Sequence, residues 1–320
     1  MRPIESPGLD EILAARDRIA GAAIRTPLIR LHVEDTPAEI HLKLENLQPI
    51  GSFKIRGAAN AMRLAPHGAL ARGVYTASAG NMAQGVAWNA RRLGVSSTVV
   101  VPDHAPQTKL EAIERLGARI VKIPFDEWWR VIVEHGCPGV EGWFIHPVSD
   151  TAVIAGNATI GLEILEELPD VDTILVPYGG GGLSGGIAAA ARAVDPRVKI
   201  LACEVKTAAP LHASLAAGAP QSVDYKPSFV DGIGGKSLLE EMWPLVRRLL
   251  DGSIVVEVAE AAEAVRLLAE RNHVIAEGAG AVPVAAALSG RAGSGKVVCV
   301  VSGGNIDSAK LATILVGEVP

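Results

Sequence analysis

Thr173-Ile174-Leu175-Val176-Pro177-Tyr178-Gly179-Gly180-Gly181-Gly182-Leu183-Ser184-Gly185-Gly186 decides how this chain is read. An apolar, strand-like run enters four consecutive glycines, and an Ala-rich, helix-like segment from Ile187 to Val194 leaves them. Glycines at a strand-to-helix turn let the backbone adopt left-handed conformations and aim successive N–H groups at one anion. The following helix, expected to start near Gly186, adds its positive end. The turn therefore reads as a phosphate cradle rather than a flexible linker. The kind of phosphate is open at this point. Gly180, Gly182 and Gly185 also satisfy the dinucleotide pattern G-x-G-x-x-G, with Glu204 where a ribose-binding acid would stand. No Gly-Lys-Ser/Thr follows, which excludes a Walker site.

Outward from this turn, strand-like and helix-like segments alternate along all 320 residues, the mark of an α/β fold with mainly parallel sheets. Helices are expected at Leu9–Ile24 (capped by Ser6-Pro7), Phe53–Leu64, Asn81–Leu93, Thr108–Leu116, Thr151–Glu167, Ser237–Leu250 and Ala261–Arg271. Strands are expected at His41–Glu45, Val74–Ala77, Thr98–Val101, Arg119–Ile123, Thr173–Val176, Ile200–Cys203, Ile254–Glu257 and Val297–Val301. The stretch from Lys206 to Lys236 reads as a long loop with short helices, and loops of that length are often functional. The length suggests about two domains, and no Gly/Ser-rich linker separates them.

Composition narrows the function classes. A net charge of −5, from 30 basic and 35 acidic residues, offers no footprint for nucleic acid or an anionic membrane. The three cysteines are odd in number and widely spaced, which points to buried thiols in a reducing compartment and to a cytoplasmic protein. No signal-peptide core or membrane-spanning run is present.

Three further constellations carry chemistry. Lys54, in Gly51-Ser52-Phe53-Lys54-Ile55-Arg56-Gly57, stands at a loop-to-helix junction between apolar neighbours, where desolvation would free a nucleophilic amine. Ser78-Ala79-Gly80-Asn81-Met82 lies between a strand end and a helix start, a place suited to a carboxylate. Ser302-Gly303-Gly304-Asn305 again sets small polar residues after an apolar strand. In an open parallel sheet these loops collect at the carboxyl ends of the strands. An amine, a phosphate cradle, a carboxylate site and a lone hydroxyl together are what pyridoxal phosphate requires.

With these motifs in place, the chain resembles the threonine/serine dehydratase and serine racemase group of fold-type II pyridoxal phosphate enzymes, which share the tryptophan synthase β-like fold. The resemblance runs from Arg25-Thr26-Pro27-Leu28 to Ile306-Asp307. It rests on SFKIRGA (52–58), SAGNMAQG (78–85), IAGNATIGLEI (154–164), VPYGGGGLSGG (176–186), DGI (231–233), EGAGA (277–281) and SGGNID (302–307). It implies that Lys54 holds the cofactor aldehyde as a Schiff base and acts as catalytic base. Phe53 would bind the cofactor, Asn81 would hydrogen-bond its O3′, Gly179, Gly180, Gly181, Gly182 and Leu183 would hold the phosphate, and Ser302 would face the pyridine nitrogen. Ser78, Ala79, Gly80, Asn81, Met82 and Val148 would contact the substrate. The implied reaction is β-elimination from a β-hydroxy-L-amino acid such as L-threonine or L-serine, giving a 2-oxo acid and ammonia.

Departures from the group sharpen these expectations. Ala79 replaces the serine of racemases, which argues for a dehydratase. Glu204, Ala208 and Pro210 fall where racemases bind a divalent metal, but Pro210 lacks the second carboxylate, so no metal is expected. Met82 and Val148 replace a histidine and a phenylalanine and imply room for a bulkier substituent, as in 3-phenylserine or 3-hydroxyaspartate. The resemblance further implies a homodimer. It also implies a cofactor-binding domain of residues 1–49 and 146–320, with a closing domain of residues 50–145. With no room after the last motif for a regulatory domain, feedback inhibition by isoleucine is not expected. Outside this group, a nucleotide-linked oxidoreductase is the alternative.

Overall fold

The computed structural model describes residues 3–320. Ten strands form two sheets. The larger has the order β1 (Leu28–Arg30), β2 (Glu39–Leu44), β10 (Lys296–Val301), β7 (Thr173–Pro177), β8 (Lys199–Val205) and β9 (Gly252–Val256). The smaller has the order β5 (Arg119–Ile123), β4 (Ser97–Pro102), β3 (Val74–Ala77) and β6 (Trp143–Phe144). All pairings are parallel except that of β1 with β2. The central strands are buried along their length, as the unbroken apolar runs Val297–Val301 and Ile174–Val176 require of strands covered on both faces.

Around the sheets lie α1 (Leu9–Ile19), α2 (Lys54–Arg63), α3 (Asn81–Leu93), α4 (Gln107–Arg115), α5 (Phe125–Glu134) and α6 (Thr151–Glu167). They are followed by α7 (Gly182–Val194), α8 (Pro210–Ala217), α9 (Trp243–Leu249), α10 (Val258–Asn272), α11 (Gly278–Leu288) and α12 (Ser308–Leu315). The hub is α6, buried nearly throughout and packed against both α2 and α7. Glycines set these close approaches. A Cβ on Gly156 would lie 2.6 Å from the carbonyl oxygen of Arg56 in α2, and one on Gly186 would lie 2.7 Å from that of Ile154 in α6.

Several expected boundaries move, each for a local reason. α1 stops at Ile19, because Gly21 turns the chain with φ of 75°, and its N-cap is Gly8, not Ser6. The helix expected over Ser237–Leu250 is reduced to α9, since Pro244, lacking an N–H, fits only in a first turn. The helix after the four glycines begins at Gly182 rather than near Gly186, so the last of the four already belongs to its first turn.

Candidate active site

The carboxyl ends of β3, β7 and β10 bring the expected loops together. An antiparallel bridge pairs Ser52 with Gly303, the Phe53 N–H donates to the Ser302 carbonyl (3.0 Å), and the Gly304 N–H donates to the Gly51 carbonyl (2.9 Å). This stitching lays Lys54, the first residue of α2, beside Ser302 at the end of β10. Lys54 Nζ donates to the Pro147 carbonyl at 2.7 Å and lies 5.3 Å from the centre of the Phe53 ring. Burial lowers the Lys54 ammonium to about 8, against the opposing pull of the nearby Glu277 carboxylate.

Two helix N-termini face the same region without side-chain caps. At α7, Gly181 is left-handed with φ of 93°, and the Gly185 N–H already donates to its carbonyl. The N–H groups of Gly182, Leu183 and Ser184 precede the first intrahelical bond and have no partner within the helix. Gly180 leaves no space for a side chain, since a Cβ there would lie 2.6 Å from Val148 Cγ1. At α3 the N-cap is Gly80, whose N–H donates to Ser78 Oγ (3.2 Å), so Ser78 fixes the turn and does not cap the helix. Both ends suit anions.

Asn81 opens α3 and is held at both ends of its amide. Nδ2 donates to Glu277 at 2.9 and 3.2 Å, and Oδ1 accepts from Asn305 Nδ2 at 2.8 Å. Sequence reasoning did not single out Glu277, although it heads the EGAGA motif. Burial raises its carboxyl to about 7, against the hydrogen bond from Asn81. The native state then retains a proton that the unfolded chain, near 4.5, releases. The associated stability is complete below pH 4.5 and is lost as pH rises through 7. Glu277→Gln is therefore expected to flatten the pH dependence of unfolding across this window and to stabilise the protein by roughly 3 kcal/mol at pH 8, read by denaturant titration.

Not every expected site residue faces the crevice. Met82 is only 2% exposed and belongs to the apolar cluster with Met62 and Val86, so its side chain fills the core under the smaller sheet and is no substrate contact. Ala79 and Gly80 are half-buried in the turn after β3, and Val148 is half-buried against Gly180. Glu204 lies fully buried on β8 and accepts from the Leu211 and His212 N–H groups (2.9 and 2.8 Å) and from Ser253 Oγ (2.6 Å). Its carboxylate is committed to capping α8, which leaves the dinucleotide alternative without a ribose anchor.

This arrangement defines a class. Residues 19–303 match the family described as pyridoxal-phosphate dependent enzyme, and the chain belongs to that family. It is similar to the L-threonine ammonia-lyase of Geobacter sulfurreducens, with 46% identity over 314 residues that cover 95% of this chain and 77% of the relative. The catabolic L-threonine dehydratase of Escherichia coli is 37% identical over 314 residues, covering 96% of this chain and 95% of the relative. Among solved structures, maize serine racemase superposes with a TM-score of 0.89 at 34% identity and covers 97% of both chains. The residues present fit the cofactor: an amine of lowered basicity, an uncapped glycine cradle with no space for a Cβ at Gly180, and a neutral hydroxyl after β10.

Proposed function

We propose that the protein is an ammonia-lyase acting on β-hydroxy-L-amino acids, with L-threonine as its main substrate. The observation that carries the reading is Lys54, a half-buried amine of lowered basicity placed with Ser302 between the uncapped N-termini of α3 and α7. Pyridoxal phosphate, when bound, supplies an aldehyde for the substrate amine and a sink for the electrons left at Cα. Gly179–Gly182 and Leu183 would hold its phosphate, Asn81 and Phe53 its ring, and Ser302 would offer a hydroxyl to its ring nitrogen. A hydroxyl there would not keep that nitrogen protonated as a carboxylate would, a setting that would favour β-elimination over transamination. Ser78, Gly80 and the free N–H groups of α3 bind the substrate carboxylate. Lys54, as free amine, takes the Cα proton, and Ala79 presents no hydroxyl to the opposite face, so racemisation is slow.

The same reading takes residues 50–145 as a domain that closes over the substrate and the rest as the cofactor-bearing domain, in a homodimer. The Lys109–Asp231 ion pair (2.8 Å), from α4 to the DGI segment, supports closure across the crevice. The test is 2-oxobutanoate formation from L-threonine by protein loaded with pyridoxal phosphate, together with the visible spectrum before and after borohydride. A protein that gains no chromophore would overturn the reading.

A second reading, preference for a bulkier 3-hydroxy amino acid, rests on Val148, which lies on the cradle at Gly180 where a larger side chain would take space. Val148→Phe is expected to lower kcat/KM for 3-phenylserine relative to threonine by roughly tenfold or more, since each methylene of pocket space is worth about 10–200-fold. Equal kcat/KM ratios in both proteins, across threonine, serine, 3-hydroxyaspartate and 3-phenylserine, would remove this reading.

A further inference from the structure

The segment Ile145–Asp150 contains a buried histidine that no step above uses. His146 is 2% exposed, and both ring nitrogens are engaged. Nε2 lies 3.0 Å from the Ile132 carbonyl, which can only accept, so Nε2 carries the proton. Nδ1 is then an acceptor, and it receives two backbone donors, the N–H of Val148 (3.1 Å) and that of Ser149 (2.7 Å). Burial, with His135 stacked 4.2 Å away, keeps the ring neutral by lowering it to about 3. Ser149 Oγ lies at the ring edge and donates to Glu241 at 2.8 Å. The imidazole thus joins α5, which packs on β3 and β4, to the turn that enters α6.

The residue enclosed by these bonds is Pro147, whose carbonyl receives Lys54 Nζ. The proline ring fixes φ but leaves ψ free, so the ring alone does not aim that carbonyl. Its direction is set by the peptide units on either side, and His146 grips both N–H groups that follow. The same two bonds hold the backbone of Val148, whose side chain closes the space above Gly180.

We propose that His146 is a positioning residue: by gathering the Val148 and Ser149 N–H groups on Nδ1, it aims the Pro147 carbonyl at Lys54 Nζ and so places the free amine for proton transfer. The proposal rests on the reading of Lys54 as the cofactor lysine and base. When the amine is free, the carbonyl takes one N–H and directs the lone pair elsewhere. A displacement of about 1 Å at a reacting group costs on the order of 10²-fold in rate.

The test compares holoenzymes of wild type, His146→Leu and His146→Asn, the last because Asn Oδ1 can stand in for Nδ1 as acceptor. His146→Leu is expected to lose roughly 10²-fold in kcat for L-threonine with KM within about threefold. Its isotope effect with Cα-deuterated substrate should be larger, and hydrogen exchange at Val148 and Ser149 at least roughly tenfold faster. His146→Asn should recover at least about tenfold of the lost kcat and most of the amide protection. A coloured, folded His146→Leu enzyme with wild-type kcat and isotope effect overturns the proposal. Should His146→Leu fail to fold, His146→Asn decides. Activity within about tenfold of wild type with protected amides upholds the proposal, and a folded, fully loaded Asn enzyme that is slower than this overturns it. A wild-type protein that gains no chromophore overturns the lysine reading itself, and this proposal with it. A coloured wild type with indifferent variants removes only the role of His146.

Discussion

Lys54→Ala is expected to lower kcat/KM for L-threonine by at least roughly 10⁴-fold, because one side chain serves both as amine for the cofactor aldehyde and as base for the Cα proton. Each role requires the neutral amine, and burial supplies it by bringing the ammonium down to about 8. The sign follows directly. Below pH 8 the amine is mostly protonated and cannot attack, so capture of pyridoxal phosphate by cofactor-stripped wild type should rise about tenfold per pH unit and level off above 8. In the alanine variant the visible band that borohydride bleaches should be absent, and no cofactor should become fixed to the chain, while the fold is retained. A variant that kept the reducible band would show that another lysine carries the cofactor.

Arg56→Met should cost about 3–5 kcal/mol of stability and lower the melting temperature by roughly 5–15 °C. Arg56 is 1% exposed and, two residues beyond Lys54, fastens α2 to the body of the protein. Its guanidinium pairs with Glu45 through Nε (2.9 Å) and one terminal nitrogen (2.8 Å), and with Glu163 at 2.6 and 2.9 Å. Thr159 Oγ1 accepts the remaining N–H at 3.0 Å, and the Ile24 carbonyl, 3.1 Å from the nitrogen that serves both carboxylates, shares one of its hydrogens. Lys43, itself fully buried, pairs with Glu163 at 2.8 Å. Removing the guanidinium leaves Glu45, which is 0% exposed, without a cation, and an uncompensated buried charge is the costly case. Arg56→Lys should fall between, since an ammonium cannot reproduce two bidentate pairs. Arg56→Met combined with Glu45→Gln should recover part of the loss, as a thermal melt would show. A single variant as stable as wild type would mean that the network contributes nothing net.

Much of this was legible because the chemistry sits in consecutive residues. The glycine turn, Lys54, Asn81 and Ser302 each occupy a strand-to-helix junction that local pattern identifies, and the helices Asn81–Leu93 and Thr151–Glu167 have the bounds expected of them. What the sequence withheld depends on distant partners or lacks contrast. Glu277 acquires its role from Asn81, 196 residues away, and Arg56 from Glu163, 107 residues away. α11 was not expected because Gly278–Leu288 is apolar on every side and contains Pro283, so it shows no helical period. β1 and β6, of three and two residues, are too short for alternation to register. α5 was missed although its first turn carries Asp126 and Glu127. There Trp128 donates to the Val100 carbonyl at 3.2 Å and packs, as such residues commonly do. Met82 shows the opposite error, a position inside a binding motif whose side chain turns away from the crevice.

The bridge between Ser52 and Gly303 also bears on the order of synthesis. Lys54 leaves the ribosome early, but the segment that seats it, with Asn305 Nδ2 bonded to the Ile50 carbonyl, follows 255 positions later. At about 5–20 residues per second that interval is roughly 13–50 s, during which β2 has no β10 to pair with and the lysine is an ordinary solvated side chain. Seating of the lysine therefore waits for the segment around Gly303 to emerge and pair with Ser52.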